Sequence, residues 1–133
     1  MDVLISIKPQ YVEKIISKEK TYEFRRSIFK KEVDNVIIYA TAPEKKIVGY
    51  FELEDIIKDT PSNLWDNFSD KAGITKKDFF DYFKGKDEGF ALKIGKLTIL
   101  DDFIDTDCLD DFRAPQSFMY VDKDEFFKNL LTH

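Results

Sequence analysis

The chain has 133 residues, of which 43% are hydrophobic and 35% charged, with only five glycines and four prolines; this excludes disorder and fibrous repeats and fits a single domain over residues 1–133 with its own core. Cys108 is the one cysteine, so an intrachain disulfide is excluded, and no apolar run reaches the roughly 18 residues that cross a bilayer. The net charge of −5 comes from 21 basic and 26 acidic residues, a balance that at first argues against a nucleic-acid partner.

The distribution changes that argument. Residues 1–50 carry ten Lys/Arg against seven Asp/Glu, and residues 51–133 carry eleven against nineteen. A basic N-terminal part on an acidic body can hold a local anion-binding face; on charge alone, an incidental asymmetry stands as an equal alternative. The start MDVLISIKPQ lacks the basic opening and long apolar stretch of a secretory signal, so the expected setting is a reducing cytoplasm without membrane association. Thirteen Phe, six Tyr and one Trp read as a core built on aromatic rings rather than as base-stacking platforms. Cys108, among aspartates, reads as an inert thiol because negative neighbours disfavour a thiolate.

In chain order, Val3–Ile7 predicts a strand. Pro9 then opens a helix over 9–18, with Tyr11, Val12, Ile15 and Ile16 at helical spacing. The start of that helix, with Lys8 outside it, is a candidate anion site, although Pro9 removes one donor. Thr21–Arg26 and Val36–Thr41 predict strands, and Lys46–Ile57 a long strand in which Gly49 marks a bulge or a close backbone approach. The early sheet is therefore expected to be antiparallel. Thr60-Pro61 predicts a capped helix start, and Gly73 its end. Thr75 with Asp78 caps a second, aromatic-rich helix ending near Gly85. Residues 88–100 return to a strand pattern, with a possible break at Gly95-Lys96. The aspartates between 101 and 111 lack the glycine and terminal glutamate of a calcium loop and read as a solvated acidic segment. Phe118–Val121 predicts a last strand, and Asp122–Leu131 a closing helix.

Several chemistries are ruled out by composition. The only histidine is His133 and the only cysteine is Cys108, so neither Ser/His nor Cys/His machinery nor a His/Cys metal site is available, and there is no phosphate-cradling glycine loop. No cofactor is implied. Against this background Lys20-Thr21-Tyr22-Glu23-Phe24-Arg25 stands out. On a strand Thr21, Glu23 and Arg25 share one face while Tyr22 and Phe24 point into the core, and Lys20 can curl toward the polar face. An arginine fork suits phosphate, and a glutamate can orient it or accept from a base amine. The plain alternative is a solvent-facing ion pair.

The segment from Ile5-Ser6-Ile7-Lys8-Pro9 to Arg25 resembles the opening of an ASCH domain, whose signature is G-x-K-x-x-E-x-R. Lys20, Glu23 and Arg25 fall on its charged positions, and Lys18 falls on its glycine. Val48-Gly49-Tyr50-Phe51-Glu52 and Ala114-Pro115-Gln116-Ser117-Phe118 are similar to later family segments, so the resemblance spans most of the chain. It implies an α+β fold, a PUA-like small antiparallel β-barrel with flanking helices, and a cleft lined by the signature. It further implies RNA or a nucleotide or nucleoside as ligand, met by Lys8, Lys20, Glu23 and Arg25.

Some small members of the family are amidohydrolases acting on N4-acetylcytidine. In those, the signature lysine is catalytic, with a threonine at the position of Glu23 and a glutamate near the position of Ala72. The alternative function is therefore such a hydrolase using Lys20, with Thr21, Glu23 and Asp70 as helpers. Both departures from the hydrolase pattern favour a binding module.

Overall fold

Val3, Leu4, Ile5 and Ile7 are all buried in the first strand, β1 (Asp2–Ile7), so both of its faces are covered. The third strand, β3 (Asn35–Ala40), is equally apolar on both faces. Continuous apolar runs of this kind suit strands with parallel neighbours, and β1 pairs with β3 in parallel, Val3 opposite Val36 and Ile7 opposite Ala40. This corrects the expectation that the early sheet is antiparallel, for this one pair of strands. The two strands are joined through α1 (Pro9–Ile16) and β2 (Tyr22–Arg25), and a long crossover is what parallel pairing requires.

The remaining pairs are antiparallel. In this computed structural model, which describes residues 1–131, β4 (Lys46–Asp59), β5 (Gly89–Asp105) and β6 (Phe118–Val121) complete a six-stranded sheet of order β2-β5-β4-β3-β1-β6. His133 lies outside the described residues. The sheet is mixed and curls into a half-barrel flanked by helices, an α+β fold. Residues 88–100 form one strand and not two: β5 runs unbroken to Asp105, and Gly95-Lys96 is a bulge where two residues oppose Glu52 alone. At Gly49 a Cβ would stand 2.2 Å from the Thr98 carbonyl oxygen, so the close backbone approach read from the sequence is present.

The helices start where their caps predict. Thr60 accepts a hydrogen bond from the Asn63 amide at 3.2 Å to open α2 (Pro61–Phe68), and Thr75 accepts from Asp78 at 3.2 Å to open α3 (Lys76–Tyr82). Asp122 accepts from the Glu125 amide at 2.9 Å before α4 (Lys123–Leu131). Helix α1 stops at Ile16, two residues earlier than its spacing suggests, because Lys18 turns left-handed with φ +68°. The family's glycine position thus keeps a glycine-like turn with a lysine in it. Since the left-handed conformation costs an L-residue about 1 kcal/mol, Lys18→Gly is expected to stabilise the fold by about that amount. Urea unfolding would detect the gain, and a loss of stability would rule out the strain.

Three apolar clusters hold the layers together. Val12 and Ile15 of α1 pack on Val3, Ile5, Ile38 and Phe51. Tyr22 and Phe24 of β2 pack with Leu64, Phe79 and Phe83 of α2, α3 and the segment that follows. Leu4, Ile37 and Ile47 meet Phe126, Phe127 and Leu130 of α4. Aromatic rings therefore do build much of the core, and the second cluster leaves β2 covered on its Tyr22/Phe24 face and free to present Glu23 on the other.

Candidate functional site

Lys20 enters β2 from the left-handed turn at Lys18, and its side chain is only 3% exposed. It runs beneath the connector between α2 and α3. Gly73, at φ +60°, lies so close that a Cβ there would stand 2.6 Å from the Lys20 Cβ. The buried Nζ donates to the Ala72 carbonyl at 2.9 Å and lies 3.4 Å from Glu23 Oε1. It also sits 4.9 Å from the ring centre of Phe24 and 5.7 Å from that of Tyr11, which favours the cation. Burial nevertheless pushes the Lys20 ammonium below its ordinary lysine value, against the raising effect of Glu23.

Glu23 is itself buried, and its second oxygen accepts from Arg25 Nη1 at 3.3 Å. Arg25 reaches much further. The same Nη1 donates to the Ser6 carbonyl at 3.4 Å, and Nη2 donates to Ser117 Oγ at 2.6 Å and to the Ser117 carbonyl at 3.3 Å. Ser6 Oγ donates in turn to the Pro115 carbonyl at 2.7 Å. Arg25 therefore belongs to edge strand β2 yet bonds to β1 and to the residue preceding β6 at the opposite edge. Both of its terminal nitrogens are engaged by the protein, so its fork acts first as a clasp across the half-barrel.

These residues line a cleft of about 850 Å³. One lip is basic, with Lys8, Arg25 and Arg26; the wall from α3 contributes Asp78 and Asp81, the latter ion-paired with Lys77 at 2.7 Å; Tyr11, Phe24, Phe79 and Tyr82 provide apolar surface between. Burial pushes the Tyr82 phenol up, and burial together with Asp78 and Glu23 does the same for Tyr11, so both remain hydroxyl donors at neutral pH. Among the described residues Lys8 and Arg26 form no ion pair. The start of α1 offers less than its position suggests, because the Tyr11 and Val12 amides both donate to the Lys8 carbonyl at 3.0 Å.

Of the residues singled out in the sequence, Lys8, Lys20, Glu23 and Arg25 come together in this cleft, and Thr21 and Asp70 do not line it. The Thr21 amide donates to the Lys71 carbonyl and its carbonyl accepts from Ile94, a bridging role between strand and connector. Asp70 lies in a separate shallow groove with Lys14, Glu19 and Thr75. At Ala72 a backbone carbonyl, and not a carboxylate, meets the lysine. Ser6, Tyr11, Arg26, Asp78 and Tyr82 escaped the sequence reading as site residues, whereas Ser117 lay in a segment already marked by resemblance. Among the described residues no group of three or more His, Cys, Asp or Glu side chains is gathered to hold a metal, and no helix is long and apolar enough to cross a membrane.

Comparisons with known proteins agree with this architecture. Residues 1–120 match the family described as Domain of unknown function (DUF365). An ASCH domain-containing ribonuclease of Zymomonas mobilis is 31% identical over 129 residues, 93% of this chain and 86% of that one. The crystal structure of ASCH from Zymomonas mobilis superposes with a TM-score of 0.85 at 28% identity, covering 98% of this chain and 94% of that chain. A 91-residue stretch is 33% identical to the large ribosomal subunit protein uL22 of Ureaplasma parvum, amounting to 68% of this chain and 29% of that longer one. With the signature lysine, glutamate and arginine meeting in one cleft of the shared fold, this chain belongs to the ASCH domain proteins and to the DUF365 family.

Proposed function

We propose that the cleft binds single-stranded RNA and cuts it. The observation that carries this reading is the buried Lys20, Glu23 and Arg25 cluster at the floor of a cleft whose lip bears the unpaired cations Lys8 and Arg26. The ribonuclease name of the Zymomonas relative supports RNA as the ligand. A cytoplasmic setting belongs to the same proposal and suits the free, exposed Cys108.

The chemistry follows from the two proton carriers. The ribose 2′-oxygen attacks the adjacent phosphorus while Glu23 accepts the 2′-hydroxyl proton. The bond from phosphorus to the 5′-oxygen breaks, and Lys20 gives that oxygen a proton, leaving a 2′,3′-cyclic phosphate and a 5′-hydroxyl. A lysine whose ammonium is held below its ordinary value is a better acid for this step. The proton then passes from Glu23 to Lys20 across 3.4 Å, which resets the pair. Arg25 is a positioning residue that holds Glu23, and Lys8 and Arg26 receive phosphate.

Removing the acid by Lys20→Met should slow cleavage of a fluorescent RNA oligonucleotide by at least about 100-fold, with circular dichroism verifying the fold. A deoxyribose at the cut position should abolish cleavage. Wild-type protein that leaves the oligonucleotide intact, or a Lys20→Met variant as fast as wild type, would end the cleavage proposal.

One observation favours the second reading, amide hydrolysis of N4-acetylcytidine: Lys20 is a buried amine of lowered basicity. Opposing it, the acid the hydrolases place near Ala72 is absent, and Asp70 lies in another groove. Turnover of N4-acetylcytidine by wild type and its loss in Lys20→Met would favour that reading instead.

A further inference from the structure

We infer that the loop after β2, residues 26–31, is a track for the phosphate backbone outside the cleft, so that the ligand is a strand of several nucleotides and not a nucleoside or mononucleotide. The inference rests on the RNA reading above and specifies the size of its ligand. The loop reads Arg26-Ser27-Ile28-Phe29-Lys30-Lys31. Its three cations are exposed, and none forms an ion pair among the described residues.

The loop is also built rather than slack. The Arg26 amide donates to the Tyr82 hydroxyl at 3.2 Å, and the amides of Lys30 and Lys31 donate to the Tyr120 hydroxyl at 2.8 and 3.2 Å. Between these two ties Phe29 is buried edge-on against Phe118, ring centres 4.9 Å apart. The Arg26 guanidinium and the Lys31 ammonium lie over the rings of Tyr82 and Tyr120, at 5.2 and 5.0 Å. A surface loop held at three points, with two of its three cations stacked on rings and none ion-paired among the described residues, has already met much of the ordering cost of an anion-binding surface.

Position gives the track its direction. One of its anchors, Tyr82, is in the cleft lining together with Arg26; the other, Tyr120, stands three residues along the chain from Ser117 of the opposite wall, about 10 Å at the rise of a strand. The α3 wall is charge-balanced, Asp81 being held by Lys77 at 2.7 Å, whereas the Arg26 lip continues into Lys30 and Lys31, so a polyanion leaving the cleft is drawn over that lip. A mononucleotide seated at Lys20 does not extend to those lysines; a strand does.

The test compares a dinucleotide with a dodecamer of mixed sequence, both 2′-O-methylated so that the proposed cleavage cannot occur, on wild type and on the double variant Lys30→Ala/Lys31→Ala, by fluorescence anisotropy over a series of salt concentrations. The dodecamer should bind wild type more tightly than the dinucleotide. The double variant should weaken the dodecamer by roughly tenfold at low salt and reduce the slope of log affinity against log salt by about 1.4, about 0.7 for each phosphate contact on a single strand. Dinucleotide binding should be unchanged. Tyr120→Phe, which keeps both lysines but removes the acceptor for their amides, should weaken the dodecamer alone. Equal affinity of wild type for the two oligonucleotides, or a dodecamer indifferent to the double variant, overturns the track while leaving RNA binding in the cleft standing. Failure to bind either one overturns both.

Discussion

Replacing Glu23 with alanine is expected to cost about 3–5 kcal/mol of folding stability, because it removes one member of a buried charge cluster and leaves the others uncompensated. Lys20 and Glu23 are 3% and 7% exposed along their side chains and Arg25 12%, so solvent cannot replace the lost carboxylate. The cost should depend on pH in a definite direction. Lys20 sits below its ordinary value of 10.5 in the folded protein, so the unfolded chain holds that proton more tightly. The penalty is full while the lysine is charged in both states, and it is relieved as pH rises from the folded value toward 10.5. Loss of Glu23 lowers the folded value further, so the variant's deficit should shrink with rising pH. Adding Lys20→Met should recover much of the deficit, since an apolar group in place of the stranded ammonium removes the uncompensated charge. Urea unfolding across pH measures all three. A deficit under about 1 kcal/mol would mean that the cluster behaves as a solvated surface pair.

Phe79→Ala is expected to lose about 3–5 kcal/mol by emptying the centre of the second apolar cluster. The ring is fully buried and lies about 5 Å from the rings of Phe24, Trp65, Phe80 and Phe83. It also lines the cleft, so the cavity opens beneath Phe24, whose other neighbour is the Lys20 ammonium. Phe79→Leu, which keeps most of the volume, should cost much less and leave the site intact. Equal losses for the two variants, measured by thermal and urea unfolding, would show that packing at this point is not what holds α3 to the sheet.

Local features were well legible in the sequence because local physics decides them. Thr60 and Thr75 cap the helices their chemistry predicts, and Gly49 marks a backbone approach that admits no side chain. What the sequence hid was set by distant chain. Lys20 read as a side chain at a strand entrance, and its burial depends on the Ala72 carbonyl and on Gly73, more than fifty positions away. Arg25 read as a ligand contact because arginine forks suit phosphate, yet its partners Ser6 and Ser117 become neighbours only when the sheet curls. The parallel pairing of β1 and β3 had only a weak signal, their continuous apolar runs, because which strands become neighbours is fixed by the whole sheet order. Alternation already put Glu23 and Arg25 on one face with Lys20 near it; resemblance to a family supplied what periodicity could not, namely that this face lines a cleft and not open solvent.

The clasp made by Arg25 has a consequence for the order in which the molecule is completed. Its bond to Ser117 joins residues 92 positions apart, among the most sequence-distant hydrogen bonds in the protein. Contacts of such separation form at the expense of a long loop and therefore late. During synthesis, β2 and its charged residues emerge early, but one wall of the cleft is missing until Ser117 has been made and β6 has docked beside β1. A nascent chain thus carries the signature without the pocket, and the proposed ligand site is assembled only once the chain through β6 has been made.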